Sequence, residues 1–344
     1  MSQRVLIVAT SIKSRGGITS VIKAHKQGEQ WNKYHCKWIA THIDKGKLCA
    51  FLYFLRGTLS FIFHLPTARI VHIHLSEPSS AKRKLLFFIC AKILGKKTIA
   101  HFHSFSPDTT INGKKQSIYR YIFSRADSVI VLSKMWEDIV RNTFNINNVT
   151  VLYNPCSVIS NKTSYTKQKQ ILYAGTLCAR KGYADLLKAF AKIAHTHKEW
   201  KLVFAGNGEI EEGKMMAKNL GIEQQCIFLG WISGEEKDKA FKEASIFCLP
   251  SYAEGFPMAV LDAWAYGLPV ITTPVGGVPD IVVDGENGLL FTPGNIDELS
   301  IKLDMLIQDE FLQQKLSKEA IGLAETTFNA TTIAQELDHI YESI

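Results

Sequence analysis

Short apolar runs alternate with helix-length segments along almost the whole chain. The runs at 4–9, 35–41, 69–74, 98–102, 128–132 and 149–152 read as strands. After a polar stretch, 160–169, the pattern resumes at 171–174, 201–205, 227–229, 246–249, 269–272 and 288–291. Between them apolar residues recur at three- and four-residue spacing, as in Leu186, Leu187, Phe190 and Ile193. Strands rich in β-branched residues, alternating with amphipathic helices, predict an α/β chain with parallel, doubly wound sheets covered on both faces. The polar stretch, with Asn161, Ser164, Thr166 and Gln168, is the natural linker, so domains are expected at 1–158 and 159–329, followed by a helical tail, 330–344.

The two halves open alike. A strand leads into Arg15-Gly16-Gly17 and a helix in the first, and into Arg180-Lys181-Gly182 and a helix in the second. Each turn places a basic group and free backbone N–H donors at the carboxyl end of a first strand, where doubly wound sheets bind phosphates. Two such sheets facing one another make a cleft, and a cleft site is the expectation.

Composition narrows the class. The 344 residues suit two domains, and 46% apolar with 21% charged residues exclude a disordered or collagen-like chain. Seven cysteines (Cys36, Cys49, Cys90, Cys156, Cys178, Cys226 and Cys248) are scattered without a C-x-x-C, which argues against a disulfide framework or zinc knuckle and fits a reducing cytoplasm. The first apolar run, Val5 to Ala9, is too short for a signal-peptide core and reads as a buried strand. The net charge of +8 conceals an asymmetry: residues 1–160 carry 23 Lys/Arg against 7 Asp/Glu, and the remainder 17 against 25. The first half therefore suits something anionic: nucleic acid, an acidic membrane surface or a phosphorylated substrate.

Two segments bear on the membrane. Residues 48–65 are rich in Phe and Leu, but Arg56 sits at their centre and Gly57, Thr58, Ser60 and His64 dilute them, favouring a buried or interfacial helix over a span. In 79–95, Lys82, Arg83 and Lys84 head an apolar helix, read either as a core helix with a solvated basic end or as a basic face on anionic headgroups.

The most informative stretch runs from Pro250 to Asp280. A strand ends near Pro250, a loop carries Glu254 and Gly255, Pro257 suits a first helical turn, and Gly267 a helix stop. The N–H groups near Phe256, Met258 and Ala259 are then expected to be unpaired, an anion site made of backbone. Asp262 follows Glu254 by eight residues, a spacing of about 12 Å and about 80° within a helix. With Glu254 in the preceding loop, the two carboxylates can reach different parts of one elongated ligand. The bland alternative is a solvated glutamate and a helix-facing aspartate; the Gly-Phe-Pro turn between them favours the ligand. Arg180 and Lys181, a planar fork beside a point charge, can neutralise a diphosphate. Gly206-Asn207-Gly208 is a tight turn after another strand. His101 and His103 share one strand face, yet no third metal ligand is evident, so a histidine facing the site is favoured over a metal.

The segment Glu254–Asp262 and its sequel through Gly285-Glu286-Asn287-Gly288 resemble the family 4 retaining glycosyltransferases of the GT-B fold, with Gly16-Gly17, His103, Ser124-Arg125-Ala126-Asp127-Ser128, Asn154 and Arg180-Lys181-Gly182 in the expected order. The resemblance is strong over 170–295 and weaker before. It implies two Rossmann-like domains, a nucleotide-sugar donor held chiefly by the second, a tail helix crossing back to the first, and neither cofactor nor essential metal. Carried over, Arg180 and Lys181 bind the donor diphosphate. Glu254 contacts the transferred sugar and Asp262 the ribose, while the amides of Gly255, Phe256, Pro257-Met258 cradle sugar and phosphate. His103 approaches the sugar, Gly17 closes on the diphosphate, and Asn207 and Ile232 lie near the base. Three departures stand out: Asp262 replaces a glutamate, Thr176 replaces the arginine of a G-R pair, and Asn154-Pro155-Cys156 replaces an asparagine-glycine turn.

The reading expected from this is a metal-independent hexosyltransferase with Glu254, His103, Lys181 and Arg180 as catalytic residues and a donor linked to UDP. The acceptor is a lipid-linked or glycan molecule of cell-surface polysaccharide synthesis, met by Lys13, Arg15 and Gly16. Lys82, Arg83 and Lys84 are candidates for contact with an anionic inner membrane face; no nucleic acid is expected, and the oligomeric state is open. The alternatives are a sugar-nucleotide epimerase of the same fold, or a non-enzymatic protein that binds anionic lipid or nucleic acid.

Overall fold

The computed structural model describes residues 4–156, 159 and 166–344, so the expected linker lies, as far as residue 165, outside the described residues. The chain divides into two compact units, Met1–Pro155 with Phe328–Ile344, and Cys156–Thr327. The first unit carries strands β1 (Arg4–Ala9), β2 (Lys37–Ala40), β3 (Ala68–Leu75), β4 (Lys97–Phe102), β5 (Ser128–Val131) and β6 (Val149–Val151). Its helices are α1 (Gly17–His25), α2 (Glu29–Lys33), α3 (Lys47–His64), α4 (Pro78–Ile93), α5 (Gln116–Phe123) and α6 (Lys134–Phe144). The second carries β7 (Gln170–Ala174), β8 (Lys201–Ala205), β9 (Cys226–Gly230), β10 (Ile246–Leu249), β11 (Val270–Thr272) and β12 (Leu289–Leu290). Its helices are α7 (Tyr183–Ile193), α8 (Ile210–Asn219), α9 (Glu235–Glu243), α10 (Met258–Ala265), α11 (Ile296–Gln308) and α12 (Glu310–Glu325), and α13 (Ala330–Glu342) returns to the first unit.

Every strand expected from the apolar runs is present, and the α/β reading with doubly wound parallel sheets holds. The ends move by one or two residues. The second strand begins at Lys37 rather than at 35 because His35 turns the chain at φ 43°. Among the described residues both sheets have six strands, all parallel, ordered β2-β1-β3-β4-β5-β6 and β12-β11-β10-β7-β8-β9. Strand order therefore reverses between β1 and β3 in the first sheet and between β7 and β10 in the second. At such a reversal the loops leaving the two strands diverge to opposite faces and open a crevice at their carboxyl ends.

In the first unit the period of two along β1 sorts side chains to two cores. Val5, Ile7 and Ala9 join Ile22 of α1 and Leu337, Ile340 and Tyr341 of α13. Leu6 and Val8 join Phe61 of α3 and Phe87 and Phe88 of α4. The tail helix is fastened further by Lys33 of α2, 2.7 Å from Asp338, and by an edge-to-face contact of Tyr34 with Tyr341 at 5.1 Å.

Helix α3 is seated by a glycine. A Cβ at Gly57 would stand 2.3 Å from the carbonyl oxygen of Ala40 in β2, so only glycine allows the helix this close to the strand. One turn on, Phe61 is buried against the Phe87 ring at 5.0 Å. A Gly57→Ala variant should gain about 1 kcal/mol of helix propensity yet lose more by displacing α3. The expected net loss is roughly 1–2 kcal/mol, read as a lowered urea midpoint; an unchanged or raised midpoint contradicts the packing.

Candidate active site

The reversal in the second sheet is where the informative residues meet. β7 runs into a loop and a single 3-10 turn, Ala179–Lys181, closed by Gly182 at φ 69°. A Cβ on Gly182 would approach the carbonyl oxygen of Pro250 to 1.9 Å, so the glycine lets the turn lie against the loop that leaves β10. Two bonds fasten that loop: Arg180 donates from Nη1 to the carbonyl of Ala253 at 2.6 Å, and Tyr252 N–H donates to the carbonyl of Arg180 at 2.8 Å.

Glu254 is thereby buried beside both cations. Its Oε1 accepts from Lys181 Nζ and, at 2.6 Å, from Ser251 Oγ, while Arg180 Nη1 lies 4.0 Å from Oε2. A buried carboxylate is costly unless paired and hydrogen-bonded, and both conditions are met here. Behind it, a Cβ at Gly276 (φ 59°) would reach the Glu254 carbonyl oxygen at 1.9 Å, and Gly277 N–H donates to Gly255 O at 2.9 Å. The glycine pair of the Pro250–Asp280 stretch thus braces the Glu254–Gly255 backbone from below.

Helix α10 begins at Met258, with Pro257 as its N-cap at ψ 94°. Pro257 stands one position earlier than expected, outside the first turn; the first helical bond runs from Val260 N–H to Pro257 O at 3.0 Å. Met258 and Ala259 open the helix, so their N–H groups have no helical carbonyl to meet. Phe256 is buried beneath this turn. Asp262 lies within α10, buried, and forms an ion pair of 2.6 Å with Lys237 of α9.

Thr176 is exposed in the loop after β7, and Asn207 is exposed in the loop after β8. The two loops touch through backbone: Leu177 N–H donates to Asn207 O at 2.7 Å, and a Cβ at Gly206 would meet Gly175 O at 1.7 Å. Ile232 is half-buried just after β9. The second unit thus gathers Arg180, Lys181 and Glu254 tightly, puts Thr176 and Asn207 on adjoining loops, and ties Asp262 to a partner. Ser251 and Lys237 went unnoticed in the sequence. Ser251 stands three residues before Glu254, a spacing that could have pointed to it; Lys237 meets Asp262 only through tertiary packing.

In the first unit, Lys13, Arg15, Gly16 and Gly17 follow β1 at the other reversal point, and all four are exposed. Gly16 has φ 126° and precedes α1, whose first residue is Gly17. His103 follows β4 and extends the ladder, its N–H donating to Leu75 O at 2.8 Å. The expectation that His101 and His103 lack a third metal ligand is corrected here. β3 brings His72 and His74 alongside them, and ring nitrogens of His72, His74 and His101 lie within 4.8 Å of one another. Two imidazole–imidazole hydrogen bonds join the row, His72 Nε2 to His101 Nδ1 at 3.1 Å and His74 Nδ1 to His103 Nε2 at 2.9 Å. The Tyr341 hydroxyl meets His72 Nδ1 at 2.8 Å, so both nitrogens of His72 are committed to protein partners. The sequence missed the row because it lies across two strands.

A second correction concerns the basic helix. Lys84, expected on a solvated or lipid-facing end of α4, is fully buried. It donates to His74 O and, at 2.9 Å, to Ser80 Oγ, and burial, followed by the Arg83 charge, pushes its pKa down to about 7. Arg83 is half-buried, while Lys82 remains exposed.

Two parallel Rossmann-like sheets, one carrying clustered cations and a buried carboxylate where its strand order reverses, define the GT-B class of α/β protein. The profile described as Glycosyl transferases group 1 matches residues 158–322, and that described as Glycosyltransferase Family 4 matches 12–158. The chain belongs to this family of glycosyltransferases. An uncharacterized glycosyltransferase of Haemophilus influenzae is 32% identical over 64% of the chain, and the lipopolysaccharide 1,6-galactosyltransferase of Salmonella typhimurium is 32% identical over 64%. The chain spans 63% and 62% of the length of these two relatives. Among solved structures, Anabaena HepE in complex with UDP matches with a TM-score of 0.77 at 17% identity, covering 99% of this chain and all of that one.

The histidine row has a consequence for acid stability. Burial, followed by mutual repulsion where neighbours are imidazoles, lowers His25 to about 4, His72 to about 3, and His74 and His101 well below their ordinary value. Below about pH 6.5 the unfolded chain takes up protons that the folded chain refuses, so stability is full above that pH and falls as pH drops. Each such histidine contributes a slope of about 1.4 kcal/mol per pH unit. Urea midpoints measured from pH 7.5 downward should fall steeply below about 6.5; a flat profile to pH 5 contradicts neutral, buried imidazoles.

Proposed function

We propose that the chain is a retaining, metal-independent glycosyltransferase. It takes a hexose from a nucleotide-sugar donor, linked to UDP, and passes it to a lipid-linked or glycan acceptor in cell-surface polysaccharide synthesis at the cytoplasmic face of a membrane. The observation that carries the reading is the convergence of Arg180, Lys181 and Glu254 with the N-terminus of α10 at one sheet reversal. Membership of the family supports it, as does the likeness to HepE, which binds UDP.

Departure of a nucleoside diphosphate leaves positive charge on the anomeric carbon and negative charge on the phosphates. Arg180, Lys181 and the amides opening α10 oppose the growing negative charge where it appears, without reorganising. Lys181 has a second partner to leave: in the free protein it neutralises Glu254, and on donor binding it turns to the diphosphate. Glu254, still held by Ser251, is then an acceptor for sugar hydroxyls. Asp262 is the group for the ribose, oriented by its ion pair with Lys237. Transfer on one face of the sugar, with a leaving phosphate oxygen taking the acceptor's proton, needs no enzymic nucleophile. His103, Gly17 and the acceptor residues Lys13, Arg15 and Gly16 of the first unit take the roles that the family resemblance implies.

Incubation with a panel of nucleotide sugars should give slow hydrolysis of a UDP-sugar, and an isomerised donor would instead make the chain an epimerase. Lys181→Ala and Glu254→Ala should each cut turnover by roughly 10²–10³-fold while the melting curve stays cooperative; near-normal turnover in both refutes the assignment. Addition of EDTA should leave the rate unchanged. A rate abolished by the chelator and restored by a divalent ion would overturn the metal-independent reading.

A further inference from the structure

Helix α3 presents an apolar stripe to solvent. Phe51, Leu52, Leu55, Leu59, Ile62 and Phe63 are between 47% and 79% exposed. At 100° per residue they fall within an arc of about 120°. The opposite side of the same helix carries Phe54, Gly57 and Phe61, which hold it on β2 and α4. A helix of this composition is normally buried all round, yet only 17% of its most apolar 18-residue window is buried. Contiguous exposed apolar surface of this kind marks a docking face.

The charge around the stripe says what docks. Residues 45–64 hold Lys45, Lys47 and Arg56 and no acidic residue. Lys47 opens α3, Arg56 borders the stripe, and Lys45 precedes it, all exposed. Apolar side chains flanked by cations with hydrocarbon stems match the boundary between acyl chains and anionic headgroups. A span is incompatible with the packing: the Gly57–Ala40 contact and the Phe61–Phe87 contact make α3 a layer of the first unit, and drawing it through a bilayer would strip β2 and α4.

We propose that α3 lies in the plane of an anionic lipid bilayer, with its Phe51–Phe63 stripe seated among the upper acyl chains and Lys45, Lys47 and Arg56 at headgroup level. The assignment moves membrane contact from the basic end of α4, where Lys84 is buried, to α3. It uses no donor-site residue, so vesicle binding and donor turnover succeed or fail independently.

The test is co-sedimentation of the whole chain with phosphatidylglycerol–phosphatidylethanolamine vesicles against phosphatidylcholine vesicles. Binding should prefer the anionic vesicles. The Leu55→Ser/Leu59→Ser/Ile62→Ser variant, all three positions exposed, should lose roughly tenfold or more of the affinity with an unchanged melting temperature. A separate Phe63→Trp variant should show blue-shifted emission on the anionic vesicles, which keeps the test decisive if the triple variant misfolds. Four results would overturn the proposal: wild type left in the supernatant, a folded triple variant that binds equally well, resistance to alkaline carbonate extraction, or a lipid-free dimer abolished by the triple variant. The third would make α3 a span, and the last would make a second copy the occupant.

Discussion

The second unit is organised around a buried negative charge. Glu254 is out of water, so it must have a cation and a hydroxyl within hydrogen-bonding distance, and Lys181 and Ser251 supply them. Lys181 can reach it only because Gly182 has no Cβ, letting the turn after β7 settle on the carbonyl of Pro250. Gly276 does the same on the other side, against Glu254's own carbonyl. Two backbone contacts that no other residue type permits therefore hold the pair in place, and the arrangement sits where the strand order reverses.

The first unit solves a related problem with neutral groups. Four imidazoles line the ends of β3 and β4, hydrogen-bonded in pairs and capped by the Tyr341 hydroxyl. Burial keeps them uncharged, so they tolerate one another at ring separations of 4.1 to 5.3 Å. Tyr341 comes from α13, the last helix of the chain, so the two ends of the sequence share one core.

Charge on this protein is legible only with burial beside it. The Lys82-Arg83-Lys84 run looks like one basic patch, but the structure separates it into an exposed lysine, a half-buried arginine and a lysine sealed under β3 with its pKa near 7. Conversely, the Phe- and Leu-rich segment of α3 has the composition of a core helix and puts half its circumference outside.

The sequence by itself determined the strands, their parallel pairing and the stretch that would carry the carboxylates, because period-two and period-3.6 patterns are local and the Glu254–Gly267 signals are contiguous. It also marked Arg180 and Lys181, since a basic pair before a glycine at a strand end is visible in a few residues. What only the tertiary structure decided are the pairings between distant segments: Lys181 with Glu254, Lys237 with Asp262, His74 with His103, and Lys84 with the end of β3. Such pairings depend on which strands become neighbours and how closely backbones approach. That distance is set by the absence of a Cβ at a few glycines, whose meaning appears only once the facing carbonyl is in place.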